Sequence, residues 1–222
     1  MKKISYSQYS MWAQCPHRWK TAYIDDKREF KESIHTLFGT SMHEVIQAFL
    51  TVMYEDTAKA AEALPLKEML RIRMKRNYEQ AMIKNGGEEF CTQKDMVEFY
   101  EHGLLILEFI KKKRAQYFSK KGYELVGIEV PLEYDLPNGV KFIGYIDVVI
   151  RDTVRDVIKI YDIKTSTMGW NKWQKADKIK TDQLLLYKQF YSKQFNHPMD
   201  KIEVEYFIVK SKVYESLDFP QK

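Results

Sequence analysis

Two aspartates interrupt two apolar runs late in the chain. The stretch is GYIDVVIRDTVRDVIKIYDIKTS, residues 144–166, and it predicts two strands of mostly β-branched and aromatic residues joined by a short turn. Asp147 lies in the middle of the first strand, Asp162 lies near the end of the second, and Lys164 follows two residues later. A carboxylate is costly to bury unless a positive charge or hydrogen-bond donors compensate it, so the two acids are candidates for chemistry.

The geometry of this hairpin indicates how the acids are arranged. A turn at residues 152–155 would place Asp147 opposite Ile160. Because side chains alternate along a strand, Asp147, Asp162 and Lys164 would then share one face of the sheet. The other face is predicted to be a core face, made of Phe142, Ile146, Val148, Ile150, Val157, Tyr161 and Ile163.

This register suggests a site for a divalent cation. Asp147 and Asp162 become diagonal neighbours with Cβ atoms about 7 Å apart. A cation bound by both would remove their mutual repulsion, and it would supply a Lewis acid and a water of lowered pKa. The alternative is a surface ion pair between Asp162 and Lys164, which contributes little to stability. A change of one residue in the turn would separate the acids onto opposite faces.

Helices precede strands along the chain. Apolar spacing predicts two short helices over 5–23, split at Pro16, and longer helices over 38–54, 65–84 and 94–119. The strands that follow are YELVGIEVPLEY, VKFIGYIDVVI and DVIKIYDIKT, then a loop with two tryptophans, a helix over roughly 176–196 and the strand IEVEYFIVKS. This order predicts a single α/β domain over residues 1–222, with a helical insert at about 60–119.

Composition excludes several classes of protein. The 222 residues are 45% hydrophobic, with 15 Tyr and 12 Phe, which is enough for a sizeable core. Two distant cysteines, Cys15 and Cys91, do not make a disulfide framework. No apolar run has membrane-spanning length, and the start MKKISYSQYS lacks the apolar stretch of a signal peptide, so a cytoplasmic location is expected. The net charge of +5 permits a polyanionic partner.

Five segments in order resemble one family. They are SYSQYSMWAQCPHRWK, GTSMH, GYID, YDIKTS and QLLLY. Together they are similar to the PD-(D/E)XK nucleases, and within them to the RecB-like exonuclease branch. The resemblance covers residue 5 to about 209 and implies a restriction-endonuclease-like core, which is a mixed central sheet flanked by helices.

The resemblance also implies roles. The metal ligands would be His43, Asp147, Asp162 and the carbonyl of Ile163. Lys164 would act on the attacking water and stabilise the transition state. Gln183 and Tyr187, four apart on one helix face, would support the site and touch the DNA strand. Glu129, on the preceding strand, sits where related sequences often have an acid.

Two further segments could contact DNA. The loop TMGWNKWQKADKIK, residues 167–180, combines Trp170 and Trp173 with Lys172 and Lys175, which is typical of a surface that stacks bases and contacts phosphates. The alternative, given equal weight, is a basic loop whose tryptophans pack on the core. The helical insert could arch over the site and admit only strand ends.

The cysteines argue against an iron–sulfur cluster. Cys15 lies in a CP pair, where the iron–sulfur members of the family place their first cluster cysteine. Those members need three more after the Gln–Tyr helix, and no cysteine follows Cys91 here, so no cluster is expected. The ending SLDFPQK, soon after a strand, suggests a truncated C-terminus.

These observations predict a DNA nuclease dependent on Mg²⁺ or Mn²⁺. We expect an exonuclease acting on single-stranded or end-bearing DNA, in a bacterial or phage-infected cell, with proteins of repair, recombination or replication as further partners. One alternative is a structure-specific endonuclease or an RNase of the same fold. Another is a non-catalytic nucleic-acid-binding subunit, against which the intact Asp147, Asp162 and Lys164 argue.

Overall fold

The computed structural model describes residues 2–27, 31–166 and 169–211. The helices in these ranges are α1 (Tyr6–Gln14), α2 (Pro16–Tyr23), α3 (Ile34–Glu55), α4 (Ala58–Ala63), α5 (Leu66–Lys84), α6 (Gln93–Tyr117), α7 (Lys172–Lys175) and α8 (Lys178–Phe195). The strands are β1 (Lys2–Ile4), β2 (Tyr123–Leu136), β3 (Val140–Asp152), β4 (Val157–Ser166) and β5 (Ile202–Lys210). The ending SLDFPQK, on which the predicted truncation rests, lies outside the described residues.

The long predicted helices and strands are confirmed, and most of their predicted boundaries lie within a few residues of the observed ones. The largest difference is α3, which begins at Ile34 because the Ser33 hydroxyl accepts the backbone N–H of Thr36 and caps it. The predicted insert contains the additional short helix α4. In the part of the chain that the structure describes, no helix is long and apolar enough to cross a membrane.

The described strands form one mixed sheet with β3 at its centre. β2 pairs antiparallel with β3 along nearly its whole length. On the other edge of β3, β1 pairs in parallel with residues 140–142 and β4 pairs antiparallel with residues 148–152. β5 pairs in parallel with β4. Neither β1 nor β4 includes residues 143–147 of β3 in its ladder, so this edge of β3 is open at Asp147.

Helices cover both faces of the sheet, as predicted for this α/β architecture. One core cluster joins α3 to α4, α5 and α6 and includes Val148, Ile150, Tyr161 and Ile163 from the sheet. The second cluster joins the opposite face to α8. Since both faces are buried, the strands β3 and β4 are apolar on both sides.

The predicted core face is wrong in part. Phe142 and Ile146 pack in the cluster with α8, whereas Val148 packs in the cluster with α3. Residues two apart in a regular strand share a face, so β3 reverses its faces between Ile146 and Val148. On β2, Glu129 lies between the residues paired with these two and has a positive φ of 50°, which is rare for a residue other than glycine.

The predicted register of the hairpin is also wrong, by two residues. Ile160 is opposite Val149 and not Asp147. The turn occupies residues 153–156, one residue later than predicted, because the Asp152 carboxylate accepts the backbone N–H groups of Val154 and Arg155 and closes the turn there. A shift by two residues preserves the alternation of side chains within the ladder, and Asp147 and Asp162 are the residues directly beyond its last pair, Val148 with Tyr161.

Candidate active site

The Asp147 side chain takes the place of a backbone hydrogen-bond acceptor at the point where β3 and β4 separate. The last ladder pair is Val148 with Tyr161. Beyond it, Asp147 Oδ2 accepts the backbone N–H of Ile163 at 2.6 Å. A short hydrogen bond from an amide to a carboxylate is among the stronger ones in proteins, so the side chain is held firmly in this position.

Asp162 is almost completely buried, with 2% of its surface exposed. Its Oδ1 accepts a hydrogen bond from Gln183 Nε2 at 2.9 Å. Lys164 Nζ lies 2.6 Å from Oδ2 and forms an ion pair with it. The charge of this ammonium group lowers the pKa of Asp162. A carboxylate oxygen has two lone pairs, so Oδ2 keeps capacity for a further ligand beside Lys164.

The two acids are electrostatically coupled. Burial raises the pKa of Asp147 to about 6, against the hydrogen bond from Ile163 and the charge of Lys164, which lower it. Burial likewise raises the pKa of Asp162 to about 6, against the charge of Lys164, while the charge of Asp147 raises it further. Perturbed carboxylates of this kind concentrate at functional sites, because their arrangement opposes stability and favours binding or catalysis.

His43 approaches the acids from the opposite side to Gln183. It lies on α3, and its Nδ1 is 3.8 Å from Asp147 Oδ2, which is too long for a hydrogen bond. Burial lowers the pKa of His43, and the charge of Lys164 lowers it further. The imidazole is therefore neutral at pH 7, the form in which histidine binds metal ions.

Gln183 and Tyr187 lie beneath the acids on α8. Both side chains are buried, with 7% of each exposed. Gln183 Nε2 donates to Asp162 Oδ1 and, at 3.1 Å, contacts the Tyr187 hydroxyl. Their burial fits the predicted supporting role and does not fit the predicted contact with a DNA strand.

Sequence reasoning missed two polar residues of the site. The hydroxyl of Tyr206 on β5 donates to Gln183 Oε1 at 3.1 Å, and Gln47 Nε2 donates to Glu129 Oε1 at 2.5 Å. Gln47 is one helical turn after His43 on α3, a spacing that could have indicated it. Tyr206 had no such signal, because only the parallel pairing of β4 with β5 brings it to Asp162.

The acids fit a divalent cation in chemistry but do not form a closed ligand set. Among the residues that the structure describes, no three His, Cys, Asp or Glu side chains are arranged to hold a metal ion as they stand. The fit rests on the buried carboxylate of Asp162, the partly buried carboxylate of Asp147 and the neutral imidazole of His43. Hard oxygen ligands of this kind suit Mg²⁺, and a nitrogen ligand favours Mn²⁺ as well.

The two tryptophans of the loop differ in their surroundings. The ring of Trp170 lies 4.8 Å from the ring of Tyr206, with Lys180 Nζ 5.1 Å from its centroid. Trp173 is 74% exposed, with Lys172 Nζ 5.0 Å from its centroid. Trp170 is thus a packed residue, whereas the ring of Trp173 is mostly exposed. The first two loop residues, 167 and 168, lie outside the described part.

A cavity of about 640 Å³ lies near the end of β4. It is bounded by Thr165 and Ser166, by His35 at the start of α3 and by the tryptophan loop. Its polar and aromatic lining includes His35, Thr165, Ser166, Trp170, Lys175 and Lys210. The cavity is large enough for a nucleotide unit of a polyanionic strand.

Cys15 has a role in local structure. Its Sγ accepts the backbone N–H of Arg18 and caps α2, and the side chain is exposed. The expected absence of an iron–sulfur cluster stays a prediction.

Comparison with protein-family models matches residues 3–221 to the PD-(D/E)XK nuclease superfamily. The match spans nearly the whole chain, so the chain belongs to this superfamily, as the motifs predicted. Its mixed sheet flanked by helices is the restriction-endonuclease-like fold. Membership supports a hydrolytic nuclease with a nucleic-acid substrate, in a superfamily that typically uses divalent metals such as Mg²⁺. A comparison with curated proteins found no match.

Proposed function

We propose that the protein is a divalent-metal-dependent deoxyribonuclease of the RecB-like branch, acting as an exonuclease on single-stranded or end-bearing DNA. The observation that carries this proposal is the partly buried Asp147 together with the buried Asp162 and Lys164 at the open end of the β3–β4 ladder. A structural ion pair between Asp162 and Lys164 would not need Asp147 as a second acid beside it.

The residues have distinct parts in this proposal. Asp147 and Asp162 hold the cation, with His43 and the carbonyl of Ile163 as further ligands. When bound, the ion supplies a Lewis acid for the phosphate and a water of lowered pKa. Lys164, 2.6 Å from Asp162 Oδ2, is placed to hold that water and to stabilise negative charge that develops on the phosphate.

Supporting residues keep the acids in position. Gln183 donates to Asp162, and Tyr187 contacts Gln183. Gln47 holds the Glu129 carboxylate beside the point where β2 and β3 reverse their faces. Glu129 raises the pKa of Asp147 through its charge, so it lies within electrostatic reach of the site and remains a candidate acid.

The substrate proposal rests on the surface beside the site. Trp173 presents an exposed ring with a lysine beside it, and Lys175 lines the adjoining cavity. Stacking on an aromatic ring together with phosphate contacts holds single strands without regard to sequence. A helical insert over residues 60–119 that restricts entry would favour strand ends. The cellular setting proposed is the cytoplasm of a bacterial or phage-infected cell, with repair, recombination or replication proteins as partners.

A digest of four matched substrates tests this function. End-labelled linear single-stranded DNA, its covalently closed circle, the duplex and an RNA of the same sequence are incubated with Mg²⁺ or Mn²⁺, and EDTA serves as the control. We expect the linear single strand to be degraded and the circle to survive. Rapid cutting of the circle would indicate an endonuclease, and preferred cutting of RNA an RNase. Metal-independent binding without cleavage would indicate a non-catalytic subunit.

A further inference from the structure

Tyr206 contacts both Gln183 of the supporting network and the candidate lysine, Lys164. The parallel pairing of β5 with β4 places Tyr206 opposite Asp162. Its hydroxyl lies 3.1 Å from Gln183 Oε1 and 2.5 Å from the backbone carbonyl of Lys180. Its ring lies 5.7 Å from Lys164 Nζ. The Tyr206 side chain therefore contacts both Gln183 and Lys164.

The hydroxyl has one proton, which is shared between the Lys180 carbonyl at 2.5 Å and Gln183 Oε1 at 3.1 Å, and this donor favours one orientation of the Gln183 amide. An amide group has one accepting oxygen and one donating nitrogen. With its oxygen near the Tyr206 hydroxyl, its nitrogen faces Asp162 Oδ1 and donates to it at 2.9 Å. The opposite orientation would direct the amide oxygen at a carboxylate, which is repulsive. A donor at Oε1 therefore favours the orientation that stabilises Asp162 as an anion.

The ring acts on Lys164 in a different way. An ammonium group within about 6 Å of an aromatic centroid is attracted by the negative face of the ring. The other neighbour of the ring is Trp170, 4.8 Å away between centroids. Tyr206 and Trp170 thus form a packed aromatic pair beside Lys164, which limits the directions in which the lysine can extend.

We propose that Tyr206 is a positioning residue of the active site, whose hydroxyl orients Gln183 toward Asp162 and whose ring restrains Lys164. This inference rests on the proposed function for its catalytic consequence, but its effect on cation binding can be measured without DNA. Tyr206 touches neither substrate nor cation in this proposal, and it acts through its two neighbours.

Three variants separate the hydroxyl from the ring. Tyr206→Phe removes only the hydroxyl, and Tyr206→Leu removes the ring as well. Tyr54→Phe is the matched control, because the Tyr54 hydroxyl also donates to a backbone carbonyl, that of Ser119, on another part of the fold. If Tyr206→Leu fails to fold, the comparison of the two phenylalanine variants still tests the role of the hydroxyl.

The first measurement is the rise of the melting temperature with Mn²⁺ in the absence of DNA. Loss of a direct partner of a metal ligand lowers metal affinity about 10–100-fold, and because Tyr206 acts through Gln183 we expect Tyr206→Phe to need at most roughly tenfold more Mn²⁺ than wild type for the same rise. Tyr54→Phe should follow the wild-type titration. Equal titrations for the two phenylalanine variants would overturn the inference.

The second measurement is a double-mutant cycle of cleavage rates with Gln183→Leu. If the hydroxyl acts through Gln183, Tyr206→Phe should lower kcat about tenfold in wild type and have little effect in the Gln183→Leu background. Additive losses would refute that route. A wild-type protein that binds Mn²⁺ without cleaving DNA would refute only the proposed activity. A wild-type melting temperature that does not change with added Mn²⁺ would overturn this inference together with the cation site.

Discussion

Replacing Asp162 by Asn should stabilise the folded protein while it removes a proposed metal ligand. The pKa of Asp162 is raised from 3.8 to about 6, with burial as the largest cause. This raised pKa already includes the favourable charge of Lys164, so at neutral pH the ionised carboxylate still opposes folding. An asparagine side chain at this position would be neutral and would keep an oxygen to accept the hydrogen bond from Gln183.

The magnitude follows from the change in pKa. One pKa unit corresponds to about 1.4 kcal/mol, so a shift from 3.8 to about 6 gives an upper limit of about 3 kcal/mol for this group. A gain of that size would raise the melting temperature of a chain of this length by several degrees. The asparagine amide nitrogen would take the place of Oδ2 beside Lys164 Nζ, and this contact between two donors reduces the gain, so we expect about 1–3 kcal/mol at pH 8.

The difference in stability between Asp162→Asn and wild type should depend on pH in a definite direction. A carboxyl group with a raised pKa binds its proton more tightly in the folded state than in the unfolded state. The opposition to folding is therefore complete above the folded pKa of about 6 and disappears as the pH falls below the unfolded value near 3.8. The Asp162→Asn variant should be more stable than wild type at pH 8, and the two proteins should converge near pH 4.

Urea unfolding in EDTA between pH 4 and pH 8 measures this difference. Asp156→Asn is the control, because Asp156 lies on an exposed turn where Arg151 lowers its pKa, and no gain is expected there. Added Mg²⁺ should stabilise wild type more than Asp162→Asn, since a ligand that binds only the folded state stabilises it. A variant less stable than wild type at pH 8 in EDTA, or a gain that persists at pH 4, would refute the reasoning.

Three other predictions concern activity. Lys164→Ala should abolish cleavage in single-turnover assays while gel-shift binding of DNA is largely kept, and near-normal turnover would show that the assigned role is wrong. The cleavage rate at fixed metal should rise as pH increases through about 6, because Asp147 and Asp162 bind a cation only when ionised, and a flat profile between pH 5 and 7 would contradict this. Trp173→Ala should weaken binding of single strands by about 1–3 kcal/mol without a change in melting temperature, because its ring is exposed. Trp170→Ala should lower the melting temperature, because its ring packs on Tyr206. The opposite pair of results would show that the two roles are exchanged.

The placement of the two acids was predictable because it depends on a period of two. A turn displaced by one residue changed the register by two, which left Asp147 and Asp162 together. The family motifs likewise led to His43 and Gln183, which meet the acids from opposite sides of the sheet. Such patterns survive small errors in the boundaries of strands.

Other features depend on information that a local pattern does not carry. The reversal of faces at Glu129 requires a positive φ at an ordinary residue in a strand, and nothing in the alternation of GIEVPLEY indicates it. Tyr206 meets Asp162 only through parallel pairing between strands separated by a helix. The tryptophans looked equivalent in the sequence, and their different exposure follows from contact of only one of them with Tyr206.

The separation of β3 from β4 explains why the chain has aspartate at positions 147 and 162, where valine would pack well. Where β3 leaves β4, the N–H of Ile163 needs an acceptor, and Asp147 Oδ2 is that acceptor. A valine at position 147 would leave this N–H without its partner, and a valine at position 162 would remove the acceptor of Gln183. Each acid therefore satisfies the backbone or a neighbour with one oxygen, while its burial opposes ionisation. The hydrophobic clusters on the two faces of the sheet stabilise the fold and offset the free-energy cost of ionising these acids. A bound cation would reduce that cost.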